Sequence, residues 1–372
     1  MARPIVLFGA TGYTGRLVAD ALIKRGGRPL LAARNEAAVK QLAEELGGLD
    51  AAVADVGRPE TLRALVDEYT VLVSTVGPFL RWGSTAVDVA VDAGAVYLDS
   101  TGEPPFIREV FEQRDAAARS SGATLVTAFG YDFVPGNLAA GLALERAGER
   151  AAKVSVGYFL TGGGSPKEAM SGGTASSVAG VMMAPAFHFH NGRVVTERSA
   201  KRVRSFNTSG GKQLQGTSIG CSEHLSLPRV YPSLREVDVY LGWFGPASRV
   251  MQGVSVLAEV PGVAKGAERL AERFVKGSTG GPGPEARAKS GSLIVAEVED
   301  TTGSVIERVE LRGPNGYTFT GEILAWGAMH AAEEGVEGTG ALGPVEAFGL
   351  RALEAACAEI GLKEENPPVQ AQ

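Results

Sequence analysis

The sequence predicts an α/β protein, with an N-terminal doubly wound parallel sheet, a second α+β unit, and a C-terminal helix that returns to the first unit. Three observations carry this. Ile5-Val6-Leu7-Phe8 is an uncharged apolar run, as expected of a strand buried on both faces of a parallel sheet. Gly9, Gly12 and Gly15 follow at once and lead into a helical pattern, with Leu17, Val18, Ala21 and Leu22 on one face and Gly26 as its stop. Strand-like and helix-like segments then alternate without a break to about Ala147, after which hairpin patterns take over.

The elements follow in order. Pro29 to Ala33 reads as the second strand, Glu36 to Leu46 as a helix with Val39, Leu42 and Leu46 apolar, and Ala51 to Ala54 as a third strand. A helix is expected over Pro59 to Tyr69, a strand over Val71 to Val76, a helix over Thr85 to Ala93 and a strand over Val96 to Asp99. Phe106 to Ser120 is amphipathic, Thr124 to Ala128 is the sixth strand, and a helix entered near Pro135 runs to Ala147. Beyond Lys153 the pattern changes. Val154 to Leu160 is strand-like, Thr174 to Met183 helical, and Ala186 to Val195 a hairpin about the Asn191-Gly192 turn. Ser222 to Leu227 and Val237 to Leu241 continue the β-rich region, and Ala247 to Val275 is mostly helical. Ser292 to Asp300 and Val305 to Arg312 form a second hairpin, Gly321 to Glu334 a helix, and Leu350 to Ile360 the returning helix. The expected division is 1–150 completed by 338–362, then 151–337, then a frayed polar tail over 363–372.

Composition narrows the possibilities. The chain has 372 residues, 44% of them hydrophobic and 21% charged, enough for ordinary cores in more than one domain. A formal net charge of −6 argues against a general nucleic-acid binder. Two distant cysteines, Cys221 and Cys357, give neither a disulfide framework nor metal spacing. The apolar stretches are too short to span a bilayer, and the first strand begins too early for a signal peptide, so a cytoplasmic location is expected. His188 and His190 share a strand face, but no third ligand lies nearby, so no metal site is expected.

Strand, glycine turn and helix in that order mark a Rossmann-type dinucleotide site. Gly9 permits the tight turn, Gly12 lets backbone approach a pyrophosphate, and Gly15 lets the helix pack on the strand. Thr11, Tyr13 and Thr14 line the same turn. About 20 residues further, where an NAD site carries a carboxylate, the chain carries Arg34 followed by Asn35. A guanidinium forks onto a 2′-phosphate, so the cofactor expected is NADPH. Asp55, at the end of the third strand, is placed either to accept the adenine amino group or to cap the next helix. Val76, Gly77 and Pro78 should pass along the pyrophosphate and the nicotinamide ribose, with Thr101 and Gly102 at the same face.

Together, Gly9 to Gly15, Ala33-Arg34-Asn35, Thr75 to Phe79, Asp99-Ser100-Thr101-Gly102-Glu103 and Gly130 to Pro135 resemble the saccharopine dehydrogenase-like oxidoreductases. Ser171 to Thr174, Gly281 to Pro284 and Leu342-Gly343-Pro344 bring the resemblance closest to the trans-acting enoyl reductases of bacterial polyketide-lipid synthesis. The resemblance implies an NADPH-binding domain, a substrate and dimerisation domain, a homodimer, and a small-molecule substrate. Saccharopine-forming enzymes clamp an amino-acid carboxylate with basic residues. Here Arg198, Lys201, Arg202 and Arg204 read as a solvated strand edge, which disfavours amino-acid substrates.

The chemistry implied is hydride delivery to a conjugated C=C, which needs a donor at the carbonyl oxygen and an acid for the α-carbon. Tyr131 is the first candidate for either role. Asp132 is placed to orient it or to cap the helix entered at Pro135, and Glu103 to touch substrate or the nicotinamide amide. Reduction of C=N is the alternative reaction, and a non-catalytic NADPH-binding sensor or scaffold is the alternative class.

Overall fold

The computed structural model describes residues 2–162, 185–242, 245, 248–256 and 280–365. The expected helix at Thr174 to Met183, and most of that over Ala247 to Val275, lie outside the described residues.

The first sheet is wholly parallel. Its early strands are β1 (Ile5–Phe8), β2 (Leu30–Ala33), β3 (Ala51–Val53), β4 (Val71–Ser74), β5 (Val96–Asp99) and β6 (Thr124–Val126), and the short β15 (Gly340–Ala341) joins from near the C-terminus. The spatial order is β15-β6-β5-β4-β1-β2-β3. The order therefore reverses between β1 and β4, and the crevice at their carboxyl ends is where such sheets bind ligands. β1, β4 and β5 are buried along their whole length, which explains sequences free of charge up to the last residue, Ser74 closing β4 and Asp99 closing β5.

The helices of this half are α1 (Tyr13–Lys24), α2 (Glu36–Glu45), α3 (Pro59–Arg63), α4 (Phe79–Ala93), α5 (Pro104–Glu109), α6 (Asp115–Ser121) and α7 (Val134–Ala147). A π-helical turn over Val110–Arg114 links α5 to α6. α3 is shorter than expected, and the segment after it is held by Asp67 and Thr70, whose side chains bond each other and nearby backbone. α4 begins six residues before the expected Thr85.

The second sheet is mixed. It runs β10 (Val203–Asn207), β11 (Gln213–Ser218), β12 (Glu236–Leu241), β7 (Lys153–Gly162), β13 (Ser290–Glu299), β14 (Val305–Pro314) and β16 (Lys363–Glu364). The hairpin of β8 (Pro185–His190) and β9 (Arg193–Arg198) attaches through β12, and its turn is Asn191-Gly192. Six further α-helices follow α7 among the described residues: α8 (Glu223–Val230), α9 (Ser248–Ser255), α10 (Pro284–Ala288), α11 (Gly316–Glu333), α12 (Pro344–Phe348) and α13 (Leu350–Ile360). α11 packs along α1 and against β4 and β5, and α13 packs on α7 and α11.

Two expectations are corrected here. Ser222 to Leu227 is not a strand: Glu223, His224 and Ser226 are buried in helix α8, where Tyr158 donates to Glu223 and Ser226 donates to Asn137. The tail is not frayed from Lys363. β16 pairs with β14, both Arg146 nitrogens donate to Glu364 at 2.6 Å, and Arg312 pairs with Glu365.

Candidate functional site

The glycine turn is built by close approach. Gly9 has φ +91°, in the left-handed region, and a Cβ there would stand 2.7 Å from Thr75 Oγ1. A Cβ on Gly15 would overlap the Gly9 carbonyl oxygen, so only glycine lets α1 sit this close to β1. Gly12 is the N-cap of α1 and supplies no side-chain cap, and the first turn of the helix carries no acidic residue. The N–H groups at this end are therefore left for an anion. Thr75, just after β4, donates its N–H to Phe8 O at 2.9 Å and its hydroxyl to Gly9 O at 3.2 Å, fixing the turn against the neighbouring strand.

Arg34 stands at the end of β2, exposed, and among the described residues it makes no ion pair or hydrogen bond. That suits a guanidinium awaiting a phosphate. Asn35 caps α2, accepting from Ala38 N at 3.0 Å. Asp55 does not cap α3, whose N-cap is Arg58; its carboxylate instead accepts Gly57 N–H at 2.9 Å within the loop. Thr11 and Thr14 are half-buried in the turn. The Tyr13 side chain reaches across to the second half of the chain. Its hydroxyl donates to Pro282 O at 2.6 Å and accepts from Arg287 at 3.0 Å, and its ring meets Tyr317 edge-on at 5.3 Å. Burial raises its pKa. Arg287 and Tyr317 are neighbours of the cradle that sequence reading missed, because only tertiary packing brings them to Tyr13.

The ends of β4, β5 and β6 continue the floor. Val76, Gly77 and Pro78 form the entry to α4. The helix has no local cap, and Glu103 caps it from a distance, accepting Phe79 N at 2.9 Å and Leu80 N at 3.0 Å. Thr101 donates its N–H to Asp99 and accepts Glu103 N–H on its hydroxyl, so this loop is braced internally. Asp99 is fully buried and ties β5 to β6 through Ala128 N at 2.9 Å and Thr127 Oγ1 at 2.7 Å. Burial pushes its carboxyl up to about 6, against the pull of these bonds.

Two polar atoms at the end of β6 have no partner. Tyr131 Oη and Asp132 Oδ1 are buried without a hydrogen bond. Burial and then the neighbouring Asp132 charge raise the tyrosine pKa, and Ser292 opposes them. Burial alone pushes Asp132 up to about 7. Asp132 does not cap α7, whose N-cap is Phe133 without a side-chain bond. Its Oδ2 lies 2.7 Å from where a Cβ on Gly102 would be, so the glycine makes room for the carboxyl. The backbone N–H of Tyr131 donates to Thr320 Oγ1 at 3.0 Å, which anchors the turn on α11.

The basic run is not a solvated edge. Arg202 pairs with Glu197 and Asp238, Arg204 with Glu297 and Glu299, and Lys201 with Glu197. Arg198 donates to Ser255 at 2.9 Å. His188 and His190 face Glu197 and Glu236, and among the described residues no group of three His, Cys, Asp or Glu is placed to hold a metal.

A parallel sheet with a glycine cradle at its switch point and an unpaired arginine at the ribose position defines a dinucleotide-binding α/β protein. Residues 5–126 match the family model of the saccharopine dehydrogenase NADP binding domain. A putative trans-acting enoyl reductase of Mycobacterium tuberculosis is 40% identical over 140 residues, covering 36% of this chain and 33% of that protein. A trans-acting enoyl reductase of Mycobacterium ulcerans is 36% identical over 140 residues, covering 36% and 34%. The chain thus spans about a third of the length of these curated relatives. Over nearly its whole length the fold is similar to saccharopine dehydrogenase (L-Glu forming) from Saccharomyces cerevisiae, with TM-score 0.59, 13% identity, and 98% and 99% of the two chains covered. Among the described residues no helix is long and apolar enough to cross a membrane.

Proposed function

We propose that the protein is an NADPH-dependent reductase of a conjugated C=C in a polyketide- or lipid-like small molecule. The carrying observation is the adjacent pair of buried, unpartnered groups, Tyr131 Oη and Asp132 Oδ1, at the carboxyl end of β6 in the sheet that bears the cofactor cradle. The relatives' names support the same reading. Gly9, Thr11, Gly12, Tyr13, Thr14 and Gly15 hold the diphosphate by backbone, and Arg34 takes the 2′-phosphate. Asn35 and Asp55 shape the adenosine end, and Val76, Gly77, Pro78, Thr101 and Gly102 border the nicotinamide end. Residues 1–150 with 338–362 form the cofactor half and 151–337 the substrate half, except that α11, packed on α1, β4 and β5, goes with the cofactor half.

When bound, NADPH supplies a hydride to the β-carbon of the acceptor. Tyr131 donates its unused O–H to the carbonyl oxygen on which negative charge develops. Asp132, kept neutral by burial, delivers its proton to the α-carbon. Glu103 acts as a positioning residue, because its carboxylate is committed to the first turn of α4. An imine substrate carrying an amino-acid carboxylate is disfavoured, since Lys201, Arg202 and Arg204 are paired with acids of their own.

The test is NADPH oxidation followed by absorbance with an α,β-unsaturated acyl thioester and, in parallel, a preformed cyclic imine. The enoyl substrate is expected to turn over. Asp132→Asn should lower kcat by about 10²- to 10⁴-fold with NADPH affinity retained. The acid must be protonated to act, so the wild-type rate should be flat below its pKa of about 7 and fall as pH rises through it. Turnover of the imine alone moves the assignment to C=N reduction, and tight NADPH binding with no turnover of any acceptor moves it to a sensor. A homodimer is proposed alongside, with light scattering behind size-exclusion chromatography as its check.

A further inference from the structure

Where α7, β7 and α8 meet lies a fully buried polar cluster that cofactor binding leaves unused. Glu223 opens α8 with no exposed surface, and its Oε1 accepts the Tyr158 hydroxyl at 2.6 Å. That hydroxyl also accepts Gly136 N–H at 2.8 Å and lies 3.2 Å from Phe133 O. The Tyr158 ring meets Tyr131 at 5.8 Å and Phe133 at 5.6 Å, both edge-on. One side chain thus touches the 131–136 turn at four points, and Asp132 sits inside that turn. A Cβ on Gly136 would overlap both Tyr158 Oη and Glu223 Oε1, so the glycine exists to admit this pair.

Tyr158 has one proton and two acceptors within reach. When Glu223 is ionised, the charge-assisted bond to the carboxylate takes that proton. When Glu223 is protonated, the carboxyl itself donates to Tyr158 Oη, and the phenolic proton turns to Phe133 O. The protonation state of Glu223 therefore decides whether the carbonyl next after Asp132 receives a hydrogen bond from Tyr158.

We propose that Glu223 is a positioning residue for the Tyr131–Asp132 turn, acting through the Tyr158 hydroxyl. Groups facing it come from every adjoining element. Ser222 donates to Oε2 at 3.4 Å, Cys221 lies alongside, and His224 turns Nδ1 toward Cys221 N at 3.2 Å. Across the turn, Asp132 acts on Tyr158 and on Cys221 when it is ionised. No lysine or arginine pairs with Glu223 among the described residues. Burial pushes Glu223 up to about 7, so both arrangements are populated near neutrality. His224 is pushed down to about 4 by burial and stays neutral across that range.

The test is an infrared pH titration of the full chain with NADP+ bound and its tyrosines ¹³C-labelled, over about pH 5 to 9, a range that brackets neutrality. In wild type, the tyrosine C–O band that Tyr158→Phe removes should shift together with a protonated-carboxyl band that Glu223→Gln removes. In Glu223→Gln the Tyr158 band should no longer depend on pH, while in Asp132→Asn its shift should remain. A Tyr158 band that stays fixed in wild type overturns the proposal without recourse to any variant, so a misfolded Glu223→Gln leaves it testable. A shift that survives in a folded Glu223→Gln overturns it as well. The kinetic arm rests on the enoyl-reductase reading. There Glu223→Gln should lose one ionisation from the pH profile of kcat while NADPH affinity stays within about twofold, a split that a general loss of structure would not give. If no acceptor turns over, that reading fails, and the infrared result still decides the role of Glu223.

Discussion

Arg34 and Asp132 stand at two different strand ends of one sheet, β2 on one side of the switch point and the end of β6 on the other. Arg34 is exposed and unpaired among the described residues, so its removal should cost little stability and should act on binding. Calorimetry on Arg34→Ala should show about 1.5–3 kcal/mol of NADPH affinity lost, as for a hydrogen bond to a charged group, with NADH affinity unchanged. Equal losses for both cofactors would place the guanidinium somewhere other than on the 2′-phosphate. The sequence position alone made Arg34 legible, because the distance from the glycine turn to the end of the second strand is fixed by the βαβ unit. Asp132 was legible only as a polar residue at a strand end. Its two sequence-based roles included capping α7, which Phe133 excludes, and its unpartnered oxygen is a product of packing by Gly102 and the neighbouring elements.

At the scale of elements, α1 shows how tightly geometry and function are joined. Its N-terminus sits against the Gly9 carbonyl only because Gly15 carries no Cβ. Gly15→Ala should cost about 1–3 kcal/mol of stability from overpacking, measured by urea denaturation, and should abolish NADPH binding by fluorescence titration. Unimpaired NADPH binding by this variant would mean that the helix N-terminus is not the phosphate cradle. The pattern of α1 could be read directly, since its apolar face and its glycines are local features. The start of α4 could not. Pro78 gives no cap, and the carboxylate that substitutes for one, Glu103, comes from a different loop. α8 misled for a related reason. Leu225 and Leu227 alternate with polar residues like a strand, and the polar ones are buried by partners on β7 and α7 that no local pattern announces.

For the molecule as a whole, three carboxyls, those of the buried Asp99 and Glu223 and of the half-buried Asp132, set an unusual dependence of stability on pH. Asp99 is raised to about 6, and Asp132 and Glu223 to about 7, each chiefly by burial. The native state therefore holds protons that the unfolded chain releases near its ordinary carboxyl range. Their stabilising contribution is full below about pH 4 and is lost as pH rises through about 6 to 7. His224, pushed down to about 4, works in the opposite direction, because the unfolded chain protonates it more readily up to about pH 6.5. Glu346, also raised by burial, adds to the carboxyls, and His188, also lowered by burial, adds to His224; the carboxyls predominate, so the melting temperature should fall between about pH 5 and 8, and Glu223→Gln should make that fall shallower. A melting temperature that rises across this interval would show that these carboxyls are solvated in the native protein.

The sequence by itself determined the parallel sheet, the glycine turn, the position of Arg34 and the two principal hairpins. Each is encoded by neighbours along the chain: apolar runs for strands buried on both faces, glycines where backbone must meet backbone, Asn191-Gly192 where a hairpin must turn. Only the tertiary structure decided which polar groups are spent and which are free. Glu103 and Asp55 are engaged by backbone N–H groups, and the basic residues after Arg198 are engaged by acids on other strands. Tyr131 and Asp132 are left over. The physical reason is that a hydrogen bond or ion pair depends on distance in space, and residues as far apart as Tyr158 and Glu223 become partners only when the two sheets are packed around them.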